Sequence, residues 1–90
     1  MITIHLPVIL TEEFRADSVM MLEAATCSDA LQGLNQKYPG MASRLVEADG
    51  RFRENLSVFI SGRRLPPRAH ASVELTDGSD VWILHAISGG

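Results

Sequence analysis

The sequence lacks most of what marks a self-sufficient catalyst. It holds one cysteine, Cys27, so no disulfide can close within the chain and a stapled secreted miniprotein is excluded. His5, His70 and His85 have no metal-ligand spacing, and no second cysteine accompanies them. There is no phosphate-cradling glycine loop, and Ser61-Gly62 reads as a turn, not a nucleophile elbow. No apolar run approaches the roughly 20 residues that span a bilayer, and the N-terminus lacks a signal-peptide layout. The expectation is a cytoplasmic protein without membrane contact. Positive charge is also short: eight basic residues against eleven acidic leave a net charge of −3. That argues against unspecific nucleic-acid binding, which rests on phosphate neutralisation. Ninety residues make one domain. Such a chain buries only about 60–65% of its unfolded surface. It has no room for a large cavity walled by two layers, so the expected protein is not an enzyme and leans on partners.

What is present is patterning. Ile2, Ile4 and Leu6 alternate with Thr3, His5 and Pro7, the period of a half-buried strand. Thr11 to Asp17 is polar and reads as a turn, leading to a short apolar strand, Val19-Met20-Met21-Leu22. Thr26 followed by Asp29 is a helix-start signal. Cys27, Ala30, Leu31, Leu34 and Tyr38 then recur at helical steps, and Pro39-Gly40 ends the element. Met41 to Val46 predicts a further turn or two of helix. Leu56, Val58 and Ile60 share one strand face before the Ser61-Gly62 turn. Arg64-Leu65 allows a short edge strand before Pro66-Pro67, and Asp77-Gly78 turns into a last strand, Val81-Trp82-Ile83-Leu84. This order predicts a two-layer α+β domain with a mixed sheet of about four to five strands packed on one main helix. Its expected core is Ile2, Ile4, Leu6, Met20, Leu22, Leu31, Leu34, Leu56, Val58, Ile60, Val81 and Ile83.

The helix Ala25-Thr26-Cys27-Ser28-Asp29-Ala30-Leu31 with its end Lys37-Tyr38-Pro39-Gly40 has a familiar sequel. It is followed by the strand Leu56–Gly62, the segment Leu75–Ile83 and the pair Gly89-Gly90. In this order, over nearly the whole chain, they resemble the MoaD/ThiS family of ubiquitin-like β-grasp sulfur carriers. The resemblance implies a domain over residues 1–85 and a flexible tail over 86–90. It implies that Gly90 is adenylated by a ubiquitin-activating-type adenylyltransferase and converted to a thiocarboxylate, with Gly89 as part of the reactive tail. ATP and magnesium would belong to that partner, and the carrier itself would bind no cofactor. A desulfurase or rhodanese would supply sulfur, and a sulfur-accepting synthase would take it. Two glycines suit such a tail because residues without a Cβ let the backbone approach a narrow channel closely. One departure stands out: the family usually has a proline where this chain has His85.

In a β-grasp sheet the strands holding Phe59 and Trp82 are neighbours. Phe59, Trp82 and Leu84 would then form an apolar docking patch on the face away from the helix. His85 and Ile87, beside the tail, are further candidate partner-binding residues. Cys27, at the head of the apolar helical stripe, reads as a packing residue despite its place at a helix start. His5, on the outer face, and His70, in a loop, read as solvated. Arg51, Arg53, Arg63, Arg64 and Arg68 crowd one stretch, as a solvated loop face or as a surface for an acidic partner. Three functions stay open: a sulfur carrier, a ubiquitin-like modifier joined to target lysines, and a plain β-grasp interaction domain. Among carriers, Met41–Val46 leans towards molybdopterin-type or cysteine-synthesis-type relatives over the shorter thiamine type, with the small subunit of molybdopterin synthase favoured.

Overall fold

A computed structural model of the chain describes residues 1–85. Its first and last strands lie side by side. β1 (Ile2–His5) runs parallel to β5 (Asp80–His85), with Ile4 opposite Val81 and His5 opposite Trp82. On the far side of β1, β2 (Val19–Leu22) pairs antiparallel, while β3 (Leu56–Ile60) pairs antiparallel with β5. β4 (Arg63–Arg64) closes the sheet, in the order β2-β1-β5-β3-β4. Parallel neighbours cannot be joined by a tight hairpin. The intervening chain therefore covers one sheet face, where α2 (Cys27–Lys37) packs Cys27, Ala30, Leu31 and Leu34 into the core with Ile2, Ile4, Val81 and Ile83. This is the expected α+β β-grasp architecture.

The start of α2 shows why the sequence folds here. Thr26 Oγ1 accepts from Asp29 N at 3.1 Å, satisfying one N–H group that has no partner within the helix. Two more are taken by the irregular segment before β5: Cys27 N donates to Val73 O at 3.0 Å and Ser28 N to Ala71 O at 2.7 Å. Ala71 and Leu75 are buried in that segment. The Ser61-Gly62 turn between β3 and β4 has positive φ at both residues (48° and 86°), the twist that two-residue hairpins favour. Gly50 is required for space as well as conformation. Its φ is 85°, and a Cβ there would lie 2.6 Å from the His70 ring.

Three expectations need correction. Residues 11–17 are not simply a turn, because α1 (Val8–Phe14) begins directly after Pro7. Leu10 is buried and Phe14 packs against the core, so this i, i+4 pair gives the polar segment an apolar stripe. Leu22 and Ile60 are only partly buried. The core is instead completed by residues from the connections: Leu10, Phe52, Ala71, Leu75, and Met41 and Leu45 of α3 (Met41–Leu45).

Met41 and Leu45 are both 0% exposed. Truncating either to alanine should destabilise the domain by roughly 2–5 kcal/mol through lost transfer energy and the cavity left behind. A total stability of roughly 5–13 kcal/mol would make that loss large. Urea unfolding of Met41→Ala and Leu45→Ala checks it; a cost close to zero would mean that α3 is not part of the core.

Candidate functional site

Strand alternation decides which side chains leave the core. On β5, Val81 and Ile83 are buried, while Trp82 and Leu84 are 42% and 41% exposed. Phe59, half-buried, stands opposite Trp82 in the β3–β5 register, and Leu84 stands opposite Ser57. Phe59, Trp82 and Leu84 thus share the outer face. Register extends the row in both directions: His5 pairs with Trp82 and with Val19, and Arg64 pairs with Phe59. Val19, His5, Trp82, Phe59 and Arg64 therefore cross all five strands in one line. Val19 and Met21 are well exposed and enlarge the apolar face beyond what was read from the sequence.

His5 is not simply solvated. Its ring stacks on the Trp82 indole, with centroids 3.7 Å apart and planes 4° from parallel. Nε2 of His5 donates to Asp80 Oδ1 at 2.6 Å, and Trp82 Nε1 donates to Asp80 Oδ2 at 2.9 Å. A carboxylate only accepts, so Nε2 carries the proton. The His5 bond first, and the Trp82 bond after it, hold the Asp80 carboxyl below the usual aspartate value. Asp80 escaped the sequence reading. The available signal was its place two residues before Trp82, on the same face of one strand.

His85 shares the parity of Val81 and Ile83 and so turns away from Trp82 and Leu84. It lines a cleft of about 340 Å³ with Ile9, Leu10, Glu13, Arg44 and Arg53. Glu13 and Arg44 pair there, and Arg53 Nε donates to Ser43 O at 3.0 Å. Nδ1 of His85 is buried with no hydrogen-bond partner among the described residues. Pro7, Val8 and Ile9 form a shallow apolar groove with Leu84 and His85, and Val8 and Ile9 are largely exposed. Ile87, Gly89 and Gly90 lie outside the described residues.

The remaining candidates serve the fold. Cys27 is buried, and burial pushes its thiol pKa up to about 11, so it is a neutral packing group. Nδ1 of the exposed His70 accepts from Ser72 N. Four of the arginines are engaged locally: Arg51 bonds Arg68 O, Arg68 pairs with Glu47, Arg53 bonds Ser43 O and Arg64 bonds Ser57 Oγ. No group of three or more His, Cys, Asp or Glu residues among the described ones is arranged to hold a metal ion. No helix among them is long and apolar enough to cross a membrane.

No family model matches the chain. Among curated proteins it is similar to small archaeal modifier protein 3 of Haloferax volcanii, 33% identical over 66 residues, covering 73% of this chain and 71% of that one. Among solved structures it is similar to the crystal structure of the Amycolatopsis orientalis BexX/CysO complex. The TM-score there is 0.85 at 21% identity, with 100% of both chains covered. Mycobacterium tuberculosis CysO superposes with a TM-score of 0.83 at 19% identity, over 97% of this chain and 100% of that one. At these identities the two structures speak for the fold.

Two outcomes follow from the titrating groups. Folding lowers the Asp80 pKa, so the bonds it accepts contribute fully above the ~3.9 of an unfolded aspartate. They are lost as the pH falls through the lower folded value. Trp82 is the one tryptophan, so its emission should shift to the red over that acid range. Emission that stays flat would show that Asp80 does not hold the indole. The Cys27 thiol should react with an aromatic disulfide reagent only after denaturation; rapid labelling of the native protein would contradict its burial.

Proposed function

Because the chain belongs to the MoaD/ThiS-type family of ubiquitin-like β-grasp proteins, we propose that it is a sulfur carrier whose reactive group is the carboxylate of Gly90. The observation that carries this reading is the Gly89-Gly90 pair only a few residues beyond β5, in a domain of this family. A carboxylate is a poor electrophile. With Gly90 as the C-terminal residue, a ubiquitin-activating-type partner would join it to AMP from magnesium-bound ATP, releasing pyrophosphate. Sulfide attacking the acyl carbon displaces AMP and leaves a thiocarboxylate. Where a desulfurase or rhodanese delivers the sulfur as a cysteine persulfide, the attack displaces AMP to give an acyl disulfide. A second thiol then cleaves it, releasing the thiocarboxylate and leaving that thiol and the donor cysteine as a disulfide. The carrier needs no catalytic side chain of its own for this, since the thiocarboxylate is itself nucleophilic at neutral pH.

In this reading the outer face formed by Phe59, Trp82 and Leu84 docks the enzymes that charge and discharge the tail. The exposed Trp82 suits such a role, since tryptophan is prominent among interface hot spots. The groove of Val8, Ile9 and Leu84 continues that surface to the end of β5 at His85. The work is that of a co-substrate in the cytoplasm, not of an enzyme. Presence of α3 leans the sulfur acceptor towards a molybdopterin-synthase-type or cysteine-type enzyme over a thiazole-forming one. A second reading is favoured by the similarity to a small archaeal modifier protein. In that reading the ε-amine of a target lysine attacks the acyl carbon of the same adenylate, AMP leaves, and an isopeptide bond joins Gly90 to the target.

Intact-mass spectrometry decides between them. After incubation with ATP, magnesium, the source organism's ubiquitin-activating-type enzyme and sulfide, one oxygen should be replaced by sulfur. The change should vanish on deletion of Gly90. An unchanged mass with an active enzyme sinks the carrier reading. Isopeptide-linked bands in cell extract that depend on Gly90 support the modifier.

A further inference from the structure

We infer that Asp80 and His5 are positioning residues that clamp the Trp82 indole into a fixed platform for the ubiquitin-activating-type enzyme that charges the carrier. The inference rests on the docking role proposed for the outer face and assigns two residues to it that are not themselves apolar. The geometry is specific. One carboxylate oxygen accepts from His5 Nε2 at 2.6 Å and the other from Trp82 Nε1 at 2.9 Å. The imidazole lies flat on the indole at 3.7 Å. The indole is thus held along its edge by a hydrogen bond and across its plane by a stacked ring, which together select one orientation.

The backbone fixes the clamp in turn. Parallel pairing of β1 and β5 sets His5 directly beside Trp82 and Thr3 beside Asp80. Asp80 is held by Ser61: its carbonyl accepts from Ser61 N at 2.7 Å, and its N–H donates to Ser61 Oγ at 3.2 Å. The residue at position 80 must offer two acceptor oxygens. Asparagine has one oxygen, and its amide nitrogen would suit His5 Nε2 only with the imidazole proton moved to Nδ1; alanine offers no acceptor at all.

A purely structural use of this cluster would bury the indole, yet 42% of Trp82 is exposed and the carboxylate is near solvent. An exposed aromatic side chain that is already ordered does not lose its rotamer freedom on binding. The clamp therefore acts on affinity. The chemistry of the tail lies beyond β5 and is untouched by it, so the maximal rate of adenylation is independent of the clamp.

The test measures ATP–pyrophosphate exchange by the source organism's ubiquitin-activating-type enzyme, with wild type, Asp80→Ala and His5→Ala as the varied substrate. Alanine at position 5 removes both the stacked ring and the donor to Asp80, so it serves if Asp80→Ala fails to fold. The expected result is a KM for the carrier raised roughly three- to tenfold with kcat unchanged. The melting temperature should stay close to wild type, and Trp82 emission should become redder and more accessible to acrylamide. An unaltered emission spectrum in both variants overturns the clamp. Altered emission with an unchanged KM overturns its role in docking, as does a loss confined to kcat. If wild type itself supports no exchange, the carrier reading fails, and the docking role of the clamp fails with it.

Discussion

Everything in this molecule depends on the parallel pairing of its first and last strands. β5 lies at the centre of the sheet between β1 and β3, so the last strand pairs with the first and not with β4, its neighbour in sequence. The chain between them must leave the sheet and return, and α2 is what that excursion carries. The same pairing dictates the outer face, because it sets the row from β2 to β4 in which Trp82 meets both His5 and Phe59. It also makes the last described strand a central one, held in the core by its inner residues Val81 and Ile83. The cost is kinetic. Contacts of high sequence separation close late, so the sheet centre is among the slower parts of the fold to form.

The strands and the main helix were legible because their patterns are local. Ile2 and Ile4, or Val81 and Ile83, alternate, and the Thr26 cap with its stripe is written within a dozen residues. α1 was hidden because Thr11, Glu12 and Glu13 dilute its stripe, and only Leu10 and Phe14 face inward. Phe52, Ala71 and Leu75 were hidden for another reason. They belong to irregular segments with no period, and their burial is decided by which strand or helix end they meet.

The outer face shows the same division. Phe59, Trp82 and Leu84 follow from parity alone once the strands are placed. The link between Asp80, His5 and Trp82 spans β1 and β5 and needs the register between them, which composition does not encode. His85 illustrates how parity constrains a residue that proximity to the tail would leave free. It belongs to the helix side of the sheet, among Glu13, Arg44 and Arg53.

The far edge of the sheet bears on how other proteins can approach. β4 is two residues long, both arginines, and Pro66-Pro67 follows almost at once. An edge so short, charged and interrupted by residues without an N–H is a poor template for another strand. Partners that bind peptides by extending a sheet have nothing to grip on this side. Recognition there must come broadside, with a surface laid flat across the strands, and two copies meeting at this edge cannot zip into a continuous ribbon.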